Sequence, residues 1–268
     1  MARKLSNKLL EMFVNHGEYA NILKMVNKDK ELSLEIRDRK AIVYYKKGKI
    51  LTLFEKGIEC LSKKYYEGKD VTFTEQGIKD DIQKYFKQAK QFVDEYRNKK
   101  EFTIQQFIMS ENSSVDNDYL VIDMEYQYEQ SNIPESERLP RARIDLVAIE
   151  KESKDIVLFE LKQGINALNG NSGVDDHIKK MNILIEDEKF RKALVEDVET
   201  IIRQKVKLQI LSEEAENWID EIKKNVVIKP MFIYVYYDKE EKEGYDNILK
   251  GRIPTIYFDF RYILKKPE

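Results

Sequence analysis

The hydrophobic pattern changes period several times along the chain. Residues 1–28 place apolar side chains near i, i+3 and i+4, as in "LLEMFVNHGEYANILKMV", and predict a helix. From residue 33 the period shortens. "KAIVYY", the turn "KKGK" with Gly48, and "ILTLF" predict a β-hairpin. "LFEKGIECL" reads as a helical pattern that carries Cys60. Residues 76–98 return to helical spacing with many charges, closing an N-terminal unit.

A second unit begins near residue 99. "KEFTIQQFIMSEN" predicts a helix, and "DYLVIDMEYQYE" alternates as a strand does. A polar, proline-bearing loop, "QSNIPESERLP", follows. "RARIDLVAIE" and "IVLFELKQ" predict two strands joined by the turn "KESKD". After the loop "GINALNGNSG", residues 174–224 read as mostly helical, with breaks near Asp187 and Ser212. "KPMFIYVYYD" is a fourth strand, "EEKEGYDNILKG" a short helix and "IPTIYFDF" a last strand. The expectation is a mixed α/β (α+β) chain. An α+β accessory region spans 1–98, and a domain over 99–268 runs helix, three strands, helix, strand.

Composition narrows the function classes. Of 268 residues, 42% are apolar and 36% charged, which suits a soluble globular protein rather than a disordered one. The net charge of −2 means that any nucleic acid must be held by a local basic patch. The N-terminus has no long apolar core, and the most apolar run, "MFIYVYY", is too short to span a bilayer. The expectation is a cytoplasmic protein with no membrane partner. Two histidines and one cysteine argue against zinc; a bound metal would be held by carboxylates, pointing to Mg²⁺ or Mn²⁺.

Charges interrupt the two best strands. Asp145 lies within "RIDLVAIE", and Glu160 and Lys162 lie within "IVLFELKQ". Alternate strand residues share a face, so Glu160 and Lys162 project to one side and Phe159 and Leu161 to the other. Antiparallel pairing across the short turn would bring Asp145 beside Glu160. Two carboxylates and an ammonium on one face suit phosphodiester hydrolysis. The carboxylates can hold divalent cations that activate water, and the lysine can stabilise developing charge. E-x-K is common here, also occurring at Glu67/Lys69, Glu152/Lys154, Glu221/Lys223 and Glu240/Lys242. Only Glu160/Lys162 lies in a continuous apolar strand. The alternatives are an edge strand whose charges face water, or a buried structural ion pair.

This element order and these residues resemble the PD-(D/E)XK nuclease superfamily, with its restriction endonuclease-like core. The family's aspartate would be Asp145 and its (D/E)-x-K would be Glu160-Leu161-Lys162; Ile144 stands where the proline of the family name would be. The resemblance covers roughly residues 100–260 and implies a metal-dependent nuclease acting on DNA. Asp145 and Glu160 would bind metal, and Lys162 would position or activate the water. Glu125, favoured over Asp123 on the same face of the first core strand, and Glu101, on the preceding helix, are further candidate ligands. Gln163, His177 and Arg143 are candidate nucleic-acid contacts, with Arg138, Arg141, Lys179 and Lys180 as further backbone-binding cations. Some relatives carry a glutamine and a tyrosine where His177 and Met181 stand. Restriction, host defence and repair are all compatible settings. A non-catalytic nucleic-acid- or protein-binding member of the fold is the alternative, and homodimerisation is left open. In the N-terminal hairpin, Tyr44 and Tyr45 with Lys46, Lys47 and Lys49 suit either nucleic-acid stacking or packing on the adjoining helices, and packing is the favoured reading.

Overall fold

The computed structural model describes residues 3–46, 48–96, 100–130, 133–168, 173–235, 240, 243–244, 255–257 and 264–265; for 100–103, 165–166 and 255–257 only the backbone is described. The chain is mixed α and β with two separate sheets. It divides into two compact units, Met1–Ser110 with Thr200–Ser212, and Glu111–Glu199 with Glu213–Glu268. The boundary near 110 lies later than the 98/99 division expected from the sequence, and a short distal stretch joins the first unit.

The first unit opens with α1 (Asn7–Phe13) and α2 (Ala20–Lys28). The hydrophobic period predicts one continuous helix over 1–28; the chain turns instead between them. Asn15 and His16 adopt positive φ. A Cβ on Gly17 would lie 2.5 Å from the carbonyl oxygens of Glu11 and Met12, so only glycine allows the chain to fold back this tightly. β1 (Ser33–Arg37), β2 (Lys40–Tyr45), β3 (Gly48–Phe54) and β4 (Gly57–Cys60) form an antiparallel meander in that order. The β2–β3 hairpin matches the sequence pattern. Cys60, helical by its spacing in the sequence, sits instead on β4, opposite Leu51. The tight turn before it uses Gly57 at φ +142°, and strand pairing overrides the local helical spacing. α3 (Glu75–Asp80) and α4 (Ile82–Tyr96) follow, then α5 (Lys100–Glu111).

One face of this sheet, including Leu34, Ile36, Val43 and Leu53, packs with Tyr85, Phe86 and Phe92 of α4 in a single apolar core. Tyr44 and Tyr45 are buried, and the Tyr45 hydroxyl donates to Asp94 at 3.0 Å. The hairpin tyrosines therefore belong to packing rather than to a base-stacking platform. The Thr200–Ser212 stretch is tied in by a reciprocal pair: Leu5 N donates to Gln204 Oε1 (2.9 Å), and Gln204 Nε2 donates to the Leu5 carbonyl (3.0 Å).

The second unit contains β5 (Tyr119–Gln127), β6 (Arg143–Glu150), β7 (Ile156–Gln163), α6 (Val174–Glu186), the first half of α7 (Glu188–Lys207), α8 (Ile219–Lys224), β8 (Ile228–Val235) and β9 (Thr255–Tyr257). Its sheet runs β5-β6-β7-β8-β9. β5–β6 and β6–β7 are antiparallel, whereas β7–β8 and β8–β9 are parallel. Parallel pairing needs a crossover, and the helical stretch between β7 and β8 supplies it. β7 is buried along almost its whole length, which explains its near-continuous apolar sequence. The helix breaks expected near Asp187 and Ser212 are present. The helix expected over 240–251 lies mostly outside the described residues. Among the described residues, no helix is long and apolar enough to cross a membrane.

Candidate active site

The β6–β7 hairpin sets the site. Leu146 pairs with Phe159, so the next step of the register brings Asp145 alongside Glu160. There the backbone ladder gives way to a side chain: Leu161 N donates to Asp145 Oδ2 at 2.8 Å. A buried amide needs an acceptor, and here the carboxylate takes the place of a strand carbonyl. On β7, Glu160 and Lys162 share a face and are 5% and 6% exposed. Lys162 Nζ lies 3.3 Å from Glu160 Oε1.

His177 reaches the same oxygen from α6, with Nδ1 2.8 Å from Glu160 Oε1. Its side chain is 22% exposed, so the cluster opens toward solvent at the histidine. α6 starts from Gly173 in extended conformation, with no side-chain cap. Asp175 and Asp176 occupy its first turn, where acidic groups complement the helix dipole. Val174, Met181 and Leu184 are buried. His177 falls on that stripe at i, i+3, i+7, i+10, so the helix turns it toward the sheet. Asp176 bonds Lys180 at 2.7 Å, which holds its carboxyl below the ordinary range; His177 and Lys162 add smaller pulls in the same direction.

Glu125 lies between the Met124–Leu146 and Tyr126–Ile144 pairs, hence across from Asp145 on the other side of β6. Its backbone is left-handed, with φ 55°, a conformation costing on the order of 1–3 kcal/mol for a residue other than glycine. Its Oε2 is 2.9 Å from Nε of Arg143, whose side chain is 67% exposed. Gln163 ends β7, paired with Val235 and half-buried. The side chain of Glu101 lies outside the described residues. Arg138 and Arg141 line a cavity of about 660 Å³ with Gln127, Gln130, Glu129 and Glu135, so that cavity is charge-balanced rather than basic.

The structure thus brings Glu160, Lys162 and His177 into direct contact, with Asp145 on the neighbouring strand and Glu125 beyond it. The sequence pattern does not predict the His177–Glu160 contact; it offers His177 to a phosphate. The available signal is one polar residue on an otherwise apolar helical stripe. Among the described residues, no group of three or more His, Cys, Asp or Glu side chains is placed to hold a metal ion together. A two-carboxylate site remains chemically suitable for Mg²⁺, which takes one or two protein carboxylates and completes its octahedron with water and substrate phosphate. Among the described residues, the ion contacts of Glu160 with Lys162 and His177 both fall on Oε1, leaving Oε2 for a cation. Compared with protein-family models, curated proteins and solved structures, the chain gives no significant match.

Proposed function

We propose that the chain is a metal-dependent nuclease with a PD-(D/E)XK, restriction endonuclease-like core, hydrolysing DNA phosphodiester bonds in restriction, host defence or repair. The observation that supports it is the hairpin just described. Asp145 and Glu160 stand side by side across β6 and β7, with the buried Lys162 on the face of Glu160. Within the second unit, the order β5–β7, a helical stretch from α6 to α8, then β8 is compatible with that core; α5, the helix before β5, belongs almost wholly to the first unit.

Asp145 and Glu160 would hold Mg²⁺ or Mn²⁺, which when bound would neutralise phosphate charge and lower the pKa of a coordinated water. Lys162 supplies a positive charge for the developing negative charge on the phosphate. Burial of Lys162 reduces the screening of its charge by water. Arg143, exposed at the start of β6, is suited to a backbone phosphate, which positions the strand without reading its sequence.

Purified protein is expected to nick plasmid or degrade single-stranded DNA when Mg²⁺ or Mn²⁺ is present. Lys162→Ala is expected to abolish that activity while far-ultraviolet circular dichroism stays unchanged. Equal inertness of wild type and variant on all nucleic acids with both metals would sink the proposal. A second reading, a non-catalytic binding member of the fold, draws on one observation. Glu160 is already matched by Lys162 and His177, so the cluster is charge-compensated without a metal. Calorimetry separates the two, because that reading expects no heat of Mn²⁺ binding.

A further inference from the structure

Glu160 Oε1 takes both of the contacts described above, from Lys162 Nζ on the same strand and from His177 Nδ1 on α6. A carboxylate oxygen has two lone pairs, so two donors use this one fully. Because an ionised carboxylate only accepts, His177 Nδ1 carries the proton in this bond. The two donors are not equivalent. Lys162 ends a flexible four-carbon stem, and its ammonium can turn to other acceptors. His177 is a short planar ring on a helix stripe whose neighbours Val174 and Met181 are buried. Fixing a free glutamate side chain in one rotamer costs conformational entropy. The histidine meets that cost during folding.

We infer that His177 is a positioning residue: its Nδ1–H clamps Glu160 Oε1, keeps Oε2 available to a divalent cation, and keeps Glu160 in place when Lys162 turns to substrate. This rests on the metal-site reading of Asp145 and Glu160. It assigns His177 a different task from the phosphate contact for which the sequence makes it a candidate, and the two tasks have different chemical requirements. A clamp needs an N–H donor at the Nδ1 position and does not need that donor to be charged. A phosphate contact is strongest with a cation and does not depend on Glu160.

His177→Asn and His177→Ala distinguish them, since an asparagine amide nitrogen sits close to where Nδ1 does. Full-length wild type and both variants would be titrated with Mn²⁺ by calorimetry without nucleic acid, with thermal unfolding run in parallel. His177→Ala is expected to weaken Mn²⁺ binding roughly 10–100-fold, as loss of a hydrogen bond to a ligating group does. His177→Asn is expected to retain most of the affinity. In cleavage assays, His177→Ala is expected to raise the Mn²⁺ concentration needed for half-maximal rate while kcat recovers at saturating metal. Wild-type Mn²⁺ affinity in His177→Ala would overturn the clamp and leave the nuclease reading standing. So would an equal loss in a folded His177→Asn. Absence of Mn²⁺ binding in the wild type would remove the metal site and the clamp together.

Discussion

Each unit buries a lysine–glutamate pair, and the pairs differ in what surrounds them. In the first, Lys205 Nζ lies 2.9 Å from Glu35 Oε2 and both side chains are 0% exposed. Arg37 Nη1 is 3.9 Å from the same oxygen. In the second, Glu160 and Lys162 are each 7% exposed, and a partly exposed histidine completes the cluster. The first pair is sealed: it joins the Thr200–Ser212 stretch to β1, and nothing outside can reach it. The second sits where β6 and β7 stop exchanging backbone hydrogen bonds, beside another carboxylate and under a histidine that solvent touches. Charge burial alone is therefore a weak sign of chemistry, because a sealed pair is a structural connection. Charge burial with an opening and a second acid is the arrangement that can admit a ligand.

The widest separation between the two pairs is expected on removing one partner. Lys205→Met removes the close cation from a fully buried Glu35, with Arg37 farther off at 3.9 Å, and is expected to destabilise the first unit by about 3–5 kcal/mol. A urea titration read through hydrogen exchange of β1–β4 amides measures this. The double replacement Glu35→Leu with Lys205→Met is expected to recover most of the loss, because an apolar pair needs no desolvation of charge. Cleavage is expected to survive it. If the single variant costs nothing, the sealed pair is not a structural connection and the contrast fails.

Lys162→Met is expected to cost less, about 1–3 kcal/mol, because Glu160 keeps His177 and some solvent. Here stability and activity should part: cleavage is lost while the unit stays folded. Unfolding comparable to that of Lys205→Met would show that the second pair is structural as well. The smallest effect is expected at Arg143→Ala, whose guanidinium is mostly in solvent where it meets the partly buried Glu125, so that losing it costs on the order of 1 kcal/mol. Its expected signature is in DNA binding, where removing one phosphate-binding cation lowers the salt-dependence slope by about 1. An unchanged slope would remove Arg143 from the interface.

The hairpin that carries Asp145, Glu160 and Lys162 is legible because alternation, a short turn and adjacent strands determine it locally. Strand period puts Glu160 and Lys162 on one face, and a five-residue turn leaves antiparallel pairing as the simple solution. Elsewhere, local pattern misleads. "LFEKGIECL" has helical spacing, yet Gly57 turns the chain and β3 recruits it as a strand. Residues 1–28 have helical spacing throughout, yet the close approach at Gly17 divides them. β1 shows as alternation in "SLEIR", but its antiparallel register on β2 is set by the pairing and not by its own residues.

The sequence by itself determined the mixed α/β class, the central hairpin and which of five E-x-K pairs lies in a buried strand. Those follow from interactions within a few residues, where side-chain period and turn chemistry act. Tertiary structure alone decided that Lys205 meets Glu35 across 170 residues, that His177 meets Glu160, and that Glu125 pairs with Arg143 from a left-handed backbone. A charged side chain records no partner in its own neighbourhood of the chain. Burial makes partnership obligatory, and only the packing of distant elements chooses which partner it is.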